Sequence, residues 1–369
     1  MACCDRSKKK NYISTGHQSG LNGNHYESVL ASDSAMALGA PKSGPAHASG
    51  FSIEGFERSD YASICRVHNE VYRDYPRTIG ELMHDDRAIE ENGYFLNRIV
   101  AREKGSKVVG YGGMMERVEQ YQPGSLFVEV AVEPRSNGSG LWRSLYRELE
   151  VRARSRKAKL LKATAIEHDP FARDSWREMG LEEKSAGVES RLDLGKLCHD
   201  ELSRRLALFD DREIAFSTLA KEKRLNPKCE SEIYDFETRA GVDVPATDRW
   251  RVMTMPEYHD LVFASPSVTP SAWFLAKKGS RYVGETSLLR NRLWPNRSIG
   301  TGFTCVIQDF RGKGLARHLK LTSFKWAKEH GYACVRTWND SDNGPMLTLN
   351  RELGFKRHAL WFRLEKRLR

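Results

Sequence analysis

Two glycine-bearing segments, Gly138-Ser139-Gly140-Leu141 and Gly312-Lys313-Gly314-Leu315, each follow a long apolar run and precede an amphipathic one. Glycine tolerates the left-handed backbone that a tight strand-to-helix turn requires, and it lets backbone N–H groups meet a ligand with no side chain between. A chain that places such a turn twice, in the same order of flanking elements, is constrained to a repeated α/β unit. At 369 residues it has room for two units of about 150 to 160 residues, a size that suits a domain.

The first pass reads as a strand from Phe51, a helix around Tyr61–Tyr75 and a strand at Asn97–Glu103. A hairpin at Lys104-Gly105-Ser106 then leads to strands Val108–Met115 and Leu126–Val132, and past the glycine turn come helix Leu141–Arg156, strand Lys159–Ile166 and a short helix ending at Met179-Gly180. The second pass gives a strand at Ile214–Leu219, a helical region over Pro227–Gly241 and a long connection, then strands Ala272–Lys277, Tyr282–Leu289 and Ile299–Ile307. After its glycine turn follow helix Gly314–His330, strand Cys334–Thr337 and a helix closing at Leu353-Gly354-Phe355. The fold class that follows is α/β, a mixed central sheet flanked by helices. The expected organisation is a disordered tail over residues 1–49, a first domain over 50–199, a connector over 200–211 and a second domain over 212–369.

The net charge of +10 favours an acidic partner, and the densest basic run lies between Arg143 and Lys162. Without interleaved aromatics or zinc-finger spacing, that run reads as a solvated helix face, which disfavours a nucleic-acid partner. The seven cysteines are scattered, with no C-x-x-C pair and no ligand set for a metal. With no apolar run near the length of a membrane span and no secretory core at the amino terminus, the expectation is a soluble cytoplasmic protein. Cys305 and Cys334 fall on expected buried strands, where a thiol behaves as a small apolar group.

In the second turn, Gln308-Asp309-Phe310-Arg311-Gly312-Lys313-Gly314-Leu315-Ala316 joins strand to helix. Unpaired N–H groups and the positive helix end suit a pyrophosphate there, and Arg311 and Lys313 add charge. Arg311, Gly314 and Ala316 match the coenzyme A signature Arg/Gln-x-x-Gly-x-Gly/Ala, and Thr337-x-Asn339-x-x-x-Asn343-x-x-Met346-x-x-x-Asn350 leads into Leu353-Gly354-Phe355. In these residues the chain resembles the GNAT acetyltransferase superfamily, as two tandem GNAT-like domains in a layout similar to that of mycothiol synthase.

The resemblance implies acetyl-CoA or another acyl-CoA as cofactor, held by Val306, Ile307, Arg311, Gly312, Lys313, Gly314, Leu315, Ala316, Asn339, Asn343 and Met346. It also implies a pantetheine cleft where Ile299–Ile307 splays from Cys334–Thr337. Many relatives carry a Tyr acid where this chain has Asn350, which could hydrogen-bond the departing sulfur but could not protonate it. Glu285 is the first candidate general base and Asp340 the second. The first half departs from the pattern, with Asn137, Trp142, Asp169 and Trp176 where the second has Arg311, Ala316, Asn343 and Asn350; Arg135-x-x-Gly138-x-Gly140 matches the signature in another register and keeps cofactor binding open there, but the half is expected to brace the second without catalysing.

The acceptor is expected against Pro227–Pro256, whose Glu230, Glu232, Asp235, Glu237, Asp243 and Asp248 would suit a cationic amine, with Trp250, Tyr258, Phe263 and Trp294 as candidate pocket walls. The leading expectation is an N-acetyltransferase acting on the primary amine of a small molecule by direct attack. An acyltransferase using a longer acyl-CoA, or modifying a peptide or protein, is the second reading. A non-enzymatic protein binding coenzyme A or nucleic acid is the third. A monomer using its first half as an internal partner fits the repeat.

Overall fold

The computed structural model describes residues 50–103, 107–242 and 251–369. The expected tail and the hairpin at Lys104-Gly105-Ser106 lie outside the described residues.

The first half contains β1 (Phe51–Gly55), α1 (Tyr61–Val71), α2 (Ile79–Glu91), β2 (Leu96–Glu103), β3 (Val108–Met115) and β4 (Ser125–Val132). It continues through α3 (Leu141–Ser155), β5 (Leu160–Ile166), α4 (Pro170–Glu178) and β6 (Glu182–Asp193). The second half contains α5 (His199–Ala207), β7 (Ile214–Thr218), α6 (Leu219–Leu225), α7 (Cys229–Gly241), α8 (Met255–Tyr258) and β8 (Val268–Lys278). It closes with β9 (Arg281–Leu289), β10 (Ser298–Val306), α9 (Leu315–Glu329), β11 (Cys334–Asp340), α10 (Gly344–Glu352) and β12 (Lys356–Arg367). Part of the stretch expected as a connector is the helix α5, which packs on α9.

Helices cover both faces of the sheet. On α3, Leu141, Leu145 and Leu149 recur at helical spacing and pack with Val128, Val130 and Val132 of β4. On the other face Ile64 and Val67 of α1 meet Val100, Tyr111 and Ala131. In the second half Leu315, Leu319, Phe324 and Ala327 of α9 join Val283, Ile299 and Val335 in one core. Each such leucine contributes about 1.5 to 3 kcal/mol by leaving water.

The twelve strands form one sheet in the order β1-β2-β3-β4-β5-β12-β6-β11-β10-β9-β8-β7. The last strand of each half crosses to the other: β12 pairs antiparallel with β5, Trp361 opposite Ile166, and β6 pairs antiparallel with β11, Val188 opposite Asn339. β12 and β6 also pair with each other at the centre. A chain ending at Phe355 should therefore leave the edges of β5 and β6 bare and accumulate as aggregate, read by soluble fraction and size-exclusion chromatography. A soluble, folded monomer from that truncation would show that the first half closes without β12.

In each half a parallel pair opens partway along. β4 and β5 pair from Ser125–Leu160 to Phe127–Lys162, and β10 and β11 from Ser298–Cys334 to Gly300–Arg336. Beyond Gly300 the register of β10 against β9 shifts between Thr301 and Thr304. Gly302 lies inside that irregularity, where a Cβ would stand 2.3 Å from Ser287 Oγ, so β10 passes only because no side chain is there.

Candidate active site

The turn after β10 carries two glycines with positive φ, 72° at Gly312 and 82° at Gly314, and Gly314 is the N-cap of α9. A Cβ on either would meet nothing within 4 Å, so the backbone conformation, not crowding, calls for glycine. Among the described residues no side chain caps α9, which leaves its first N–H groups uncapped behind an exposed turn. Arg311 Nε donates to Val306 O at 2.8 Å, which anchors a guanidinium beside the turn. Lys313 Nζ lies 5.3 Å from the Phe310 ring centre.

Where β10 leaves β11, a cavity of about 1650 Å³ opens. Of the residues expected to hold a cofactor, Val306, Arg311, Ala316, Asn339, Asn343 and Met346 line it. Ile307 and Leu315 are buried in the core, and Gly312, Lys313 and Gly314 form the exposed turn that follows Arg311. Asn343 has a structural duty too, since its Oδ1 accepts from Met346 N at 3.2 Å and caps α10.

The residues expected to do chemistry fall differently. Asp340 lines the cavity, but its Oδ2 accepts from Arg363 Nη1 at 2.8 Å. Asn350 is not among the lining residues: it is buried, and its Nδ2 donates one N–H to Asn339 Oδ1 at 2.7 Å, so it braces Asn339. Glu285 is fully buried opposite Cys305 in the β9–β10 register and accepts from Trp273 Nε1 at 2.8 Å.

Glu285 does not act alone. The carboxyl of Glu237, on the inward face of α7 beside Ile233 and Phe236, faces that of Glu285, with the Tyr258 hydroxyl next to both. Burial and the neighbouring carboxyl hold Glu285 well above the ordinary carboxylate range, and burial raises Glu237. Two carboxyls this close and this dry cannot both ionise easily, so the pair retains a proton where an isolated glutamate would have lost it. Glu237 Oε1 and the Tyr258 oxygen are buried, make no hydrogen bond of regular geometry among the described residues, and belong to residues that line the cavity. Burial and Glu285 push the Cys305 thiol well up, which leaves it a poor nucleophile.

Sequence reasoning placed Glu237 only within an acidic stretch. The structure singles it out: Glu230 pairs with Lys223, Glu232 accepts from Asn226 at 2.8 Å, Asp235 is exposed, and Asp243 and Asp248 lie outside the described residues. Of the expected pocket aromatics Tyr258 lines the cavity, Phe263 is buried beside Trp273, Trp294 packs against Trp338, and Trp250 lies outside the described residues. The missed signal was the helical period, since Glu237 sits one turn after Ile233 on the buried face of α7.

The cavity continues into the first half, where Tyr72, Tyr75, Phe127 and Glu129 form its far wall. Arg98 beside Glu129 holds that carboxylate below its ordinary range. The first half keeps the turn geometry, with φ of 85° at Gly138 and 81° at Gly140. Behind it, however, Trp142 and Trp176 pack edge to face with ring centres 4.6 Å apart, and a recess of about 180 Å³ is left beside Asn137 and Asp169. The basic run is largely paired where it is described: Arg143 with Glu178, Arg152 with Glu148, Arg154 with Glu150, and Arg156 over the Phe95 ring. Among the described residues no helix is long and apolar enough to cross a membrane.

Residues 235–355 match the family described as Acetyltransferase (GNAT) family. A comparison with curated proteins gives no match. Among solved structures, the fold is similar to that of the tandem GNAT protein from the clavulanic acid biosynthesis pathway, with a TM-score of 0.65 and 18% identity over 86% of this chain and 98% of that one. It is similar to that of a GCN5-related N-acetyltransferase from Sphaerobacter thermophilus, with a TM-score of 0.63 and 16% identity over 86% and 96%. A GCN5-related glucosamine N-acetyltransferase region of a fungal multi-domain GH3 beta-N-acetylglucosaminidase gives a TM-score of 0.61 and 15% identity over 85% of this chain and 38% of that one. The chain therefore has the tandem GNAT fold, and its residues 235–355 form a domain of the acetyltransferase (GNAT) family.

Proposed function

We propose that this protein is an acyl-CoA-dependent N-acyltransferase that moves an acetyl group from acetyl-CoA to a primary amine of a small molecule. The observation that carries the reading is one continuous feature: an uncapped glycine turn beside Arg311, a cleft between β10 and β11, and a proton-holding Glu237–Glu285 pair on the same cavity.

In this reading the N–H groups of Gly312 to Ala316, with Arg311 and Lys313, hold the pyrophosphate, and Val306, Ile307, Asn339, Asn343 and Met346 flank the pantetheine arm. When bound, acetyl-CoA supplies a thioester whose C–S bond breaks as the amine nitrogen attacks, the electron pair going to sulfur. Glu237, backed by Glu285, takes the proton that the amine loses. Asp340 ranks behind them because Arg363 occupies one of its oxygens. Residues 212–369 are the catalytic half, residues 50–199 a brace and acceptor wall, and residues 200–211 the connector. Cys65, Cys198, Cys229, Cys305 and Cys334 are free thiols, which supports a cytoplasmic setting. The central exchange of β12 and β6 supports a monomer whose halves complete one another.

Among the described residues Glu237 of the expected stretch lines the cavity, with Glu129 and Asp340 on its other walls, which supports a cationic acceptor. The cavity of about 1650 Å³ has room for both a pantetheine arm and an acceptor, and an acyltransferase that uses a longer acyl-CoA or modifies a peptide or protein is the second reading. Calorimetric titration with acetyl-CoA should give one equivalent bound. A free-thiol release screen over monoamines, amino sugars, polyamines and lysine peptides should then favour a small-molecule primary amine over the lysine peptides. Absence of binding at millimolar acetyl-CoA would overturn the reading.

A further inference from the structure

The offset that carries Gly140 onto Gly314 also carries Trp142, Tyr146 and Trp176 onto Ala316, Lys320 and Asn350. In the first half those three side chains touch one another, with ring centres 4.6 Å apart for Trp142 and Trp176, 5.7 Å for Tyr146 and Trp176, and 6.1 Å for Trp142 and Tyr146. They fill the space between α3, α4 and the sheet with carbon. In the second half the same three places hold a methyl group, an ammonium and a carboxamide.

Lys320 is 1% exposed. It lines the cavity with Ala316, Met346 and Asn339, and its Nζ lies 5.6 Å from the centre of the Phe355 ring. Among the described residues its side chain makes no hydrogen bond and no ion pair, and the ring face is its one electrostatic contact. Burial alone lowers its pKa to about 8: no carboxylate, histidine or second cation of the sheet, of α10 or of the segment leading into β12 contributes. A buried ammonium without a counter-charge is costly unless an electron-rich group enters beside it. Of the other polar groups at this end of the cavity, Asn350 Nδ2 donates to Asn339 Oδ1 and Arg311 Nε to Val306 O, while Asn350 Oδ1 is buried and, like Lys320 Nζ, makes no hydrogen bond among the described residues.

We propose that Lys320 is the catalytic residue that stabilises and protonates the sulfur leaving the acyl thioester. The inference rests on the acyl-transfer reading, in which the thiolate is the anion released within this cleft. As the amine nitrogen bonds to the acyl carbon, the C–S pair passes to sulfur. One Nζ–H proton follows it, giving the free thiol and a neutral lysine amine. The proton that Glu237 took from the acceptor then returns to Nζ through solvent, so the cycle closes with amide and thiol as the products.

The test uses the full chain and two variants, Lys320→Met, which keeps length and removes charge, and Lys320→Arg, which keeps charge. Free coenzyme A is bound to saturation, and its thiol is titrated by the ultraviolet absorbance of the thiolate. In the unmodified protein the bound thiol should ionise at least about one pH unit below the free thiol, because a positive neighbour favours the anion. In Lys320→Met that shift should vanish while acetyl-CoA affinity stays within about threefold, and kcat should fall about 100-fold, the usual scale for losing a proton donor. Lys320→Arg should restore the thiol shift but not the full kcat, since arginine does not give up its proton. Thermal denaturation should show Lys320→Met as stable as the parent or more so, which excludes misfolding. An unchanged thiol titration with unchanged kcat in Lys320→Met would overturn the proposal and leave the acyl-transfer reading standing. Failure of the unmodified protein to bind acetyl-CoA would overturn both.

Discussion

Gly314→Trp should abolish acetyl-CoA binding, and Gly140→Trp, at the matching turn, should leave it intact. The two glycines have nearly the same backbone, φ of 82° and 81°, each caps a helix, and at each a Cβ would meet open space. The strain of a non-glycine residue in the left-handed region is therefore the same in both, about 1 to 2 kcal/mol, and both variants should lose a similar few degrees of Tm. What differs lies behind the turn. Ala316 opens onto the large cavity, whereas Trp142 is packed against Trp176. An indole at Gly314 would cover the N–H groups that meet the pyrophosphate. Losing two charge-assisted hydrogen bonds, each worth about 1.5 to 3 kcal/mol, should raise Kd at least about 100-fold. Calorimetry against thermal denaturation separates this from general destabilisation. Equal loss of binding in both variants would mean that the first half also holds cofactor, and the division into a catalytic half and a brace would fail.

Glu237→Gln should lower kcat/KM by about 100- to 1,000-fold with acetyl-CoA affinity unchanged, because the loss falls on proton acceptance. In the unmodified protein the rate should rise with pH across a window above the ordinary carboxylate range, since burial and mutual repulsion raise the pair. Glu285 binds its proton more tightly folded than unfolded. Stability from this source is thus fully present below the unfolded carboxylate pKa and is lost as pH rises through the raised folded value. Glu285→Gln removes that loss, keeps an acceptor for Trp273 Nε1, and should make the protein more stable than the parent at alkaline pH. The checks are a pH–rate profile and melts at several pH values. A Glu237→Gln enzyme of full activity would remove the pair from the chemistry.

Much of the architecture was legible along the chain because it is local. The alternation of Leu126–Val132 and the helical spacing of Leu141, Leu145 and Leu149 announce their elements, and β5, β8, β9 and α9 follow the same rules. The strand β6 was missed because Glu182, Glu183 and Lys184 open it, and β12 because Arg363, Glu365 and Lys366 interrupt its apolar face. Both nonetheless lie at the centre of the sheet, where Arg363 meets Asp340 and Lys366 meets Glu150, so partners elsewhere in the chain make their charges tolerable.

The sequence by itself determined the two glycine turns, the Arg311–Ala316 segment proposed to hold an anion and the Asn339–Met346 wall, since each depends on backbone conformation and spacing within a few residues. Only the tertiary structure decided that β12 and β6 change halves, that Glu237 meets Glu285, and that Lys320 lines the cavity without a counter-charge among the described residues. Those facts join residues far apart in the chain. Burial and the absence of a partner are properties of the packed molecule, with no counterpart in local periodicity.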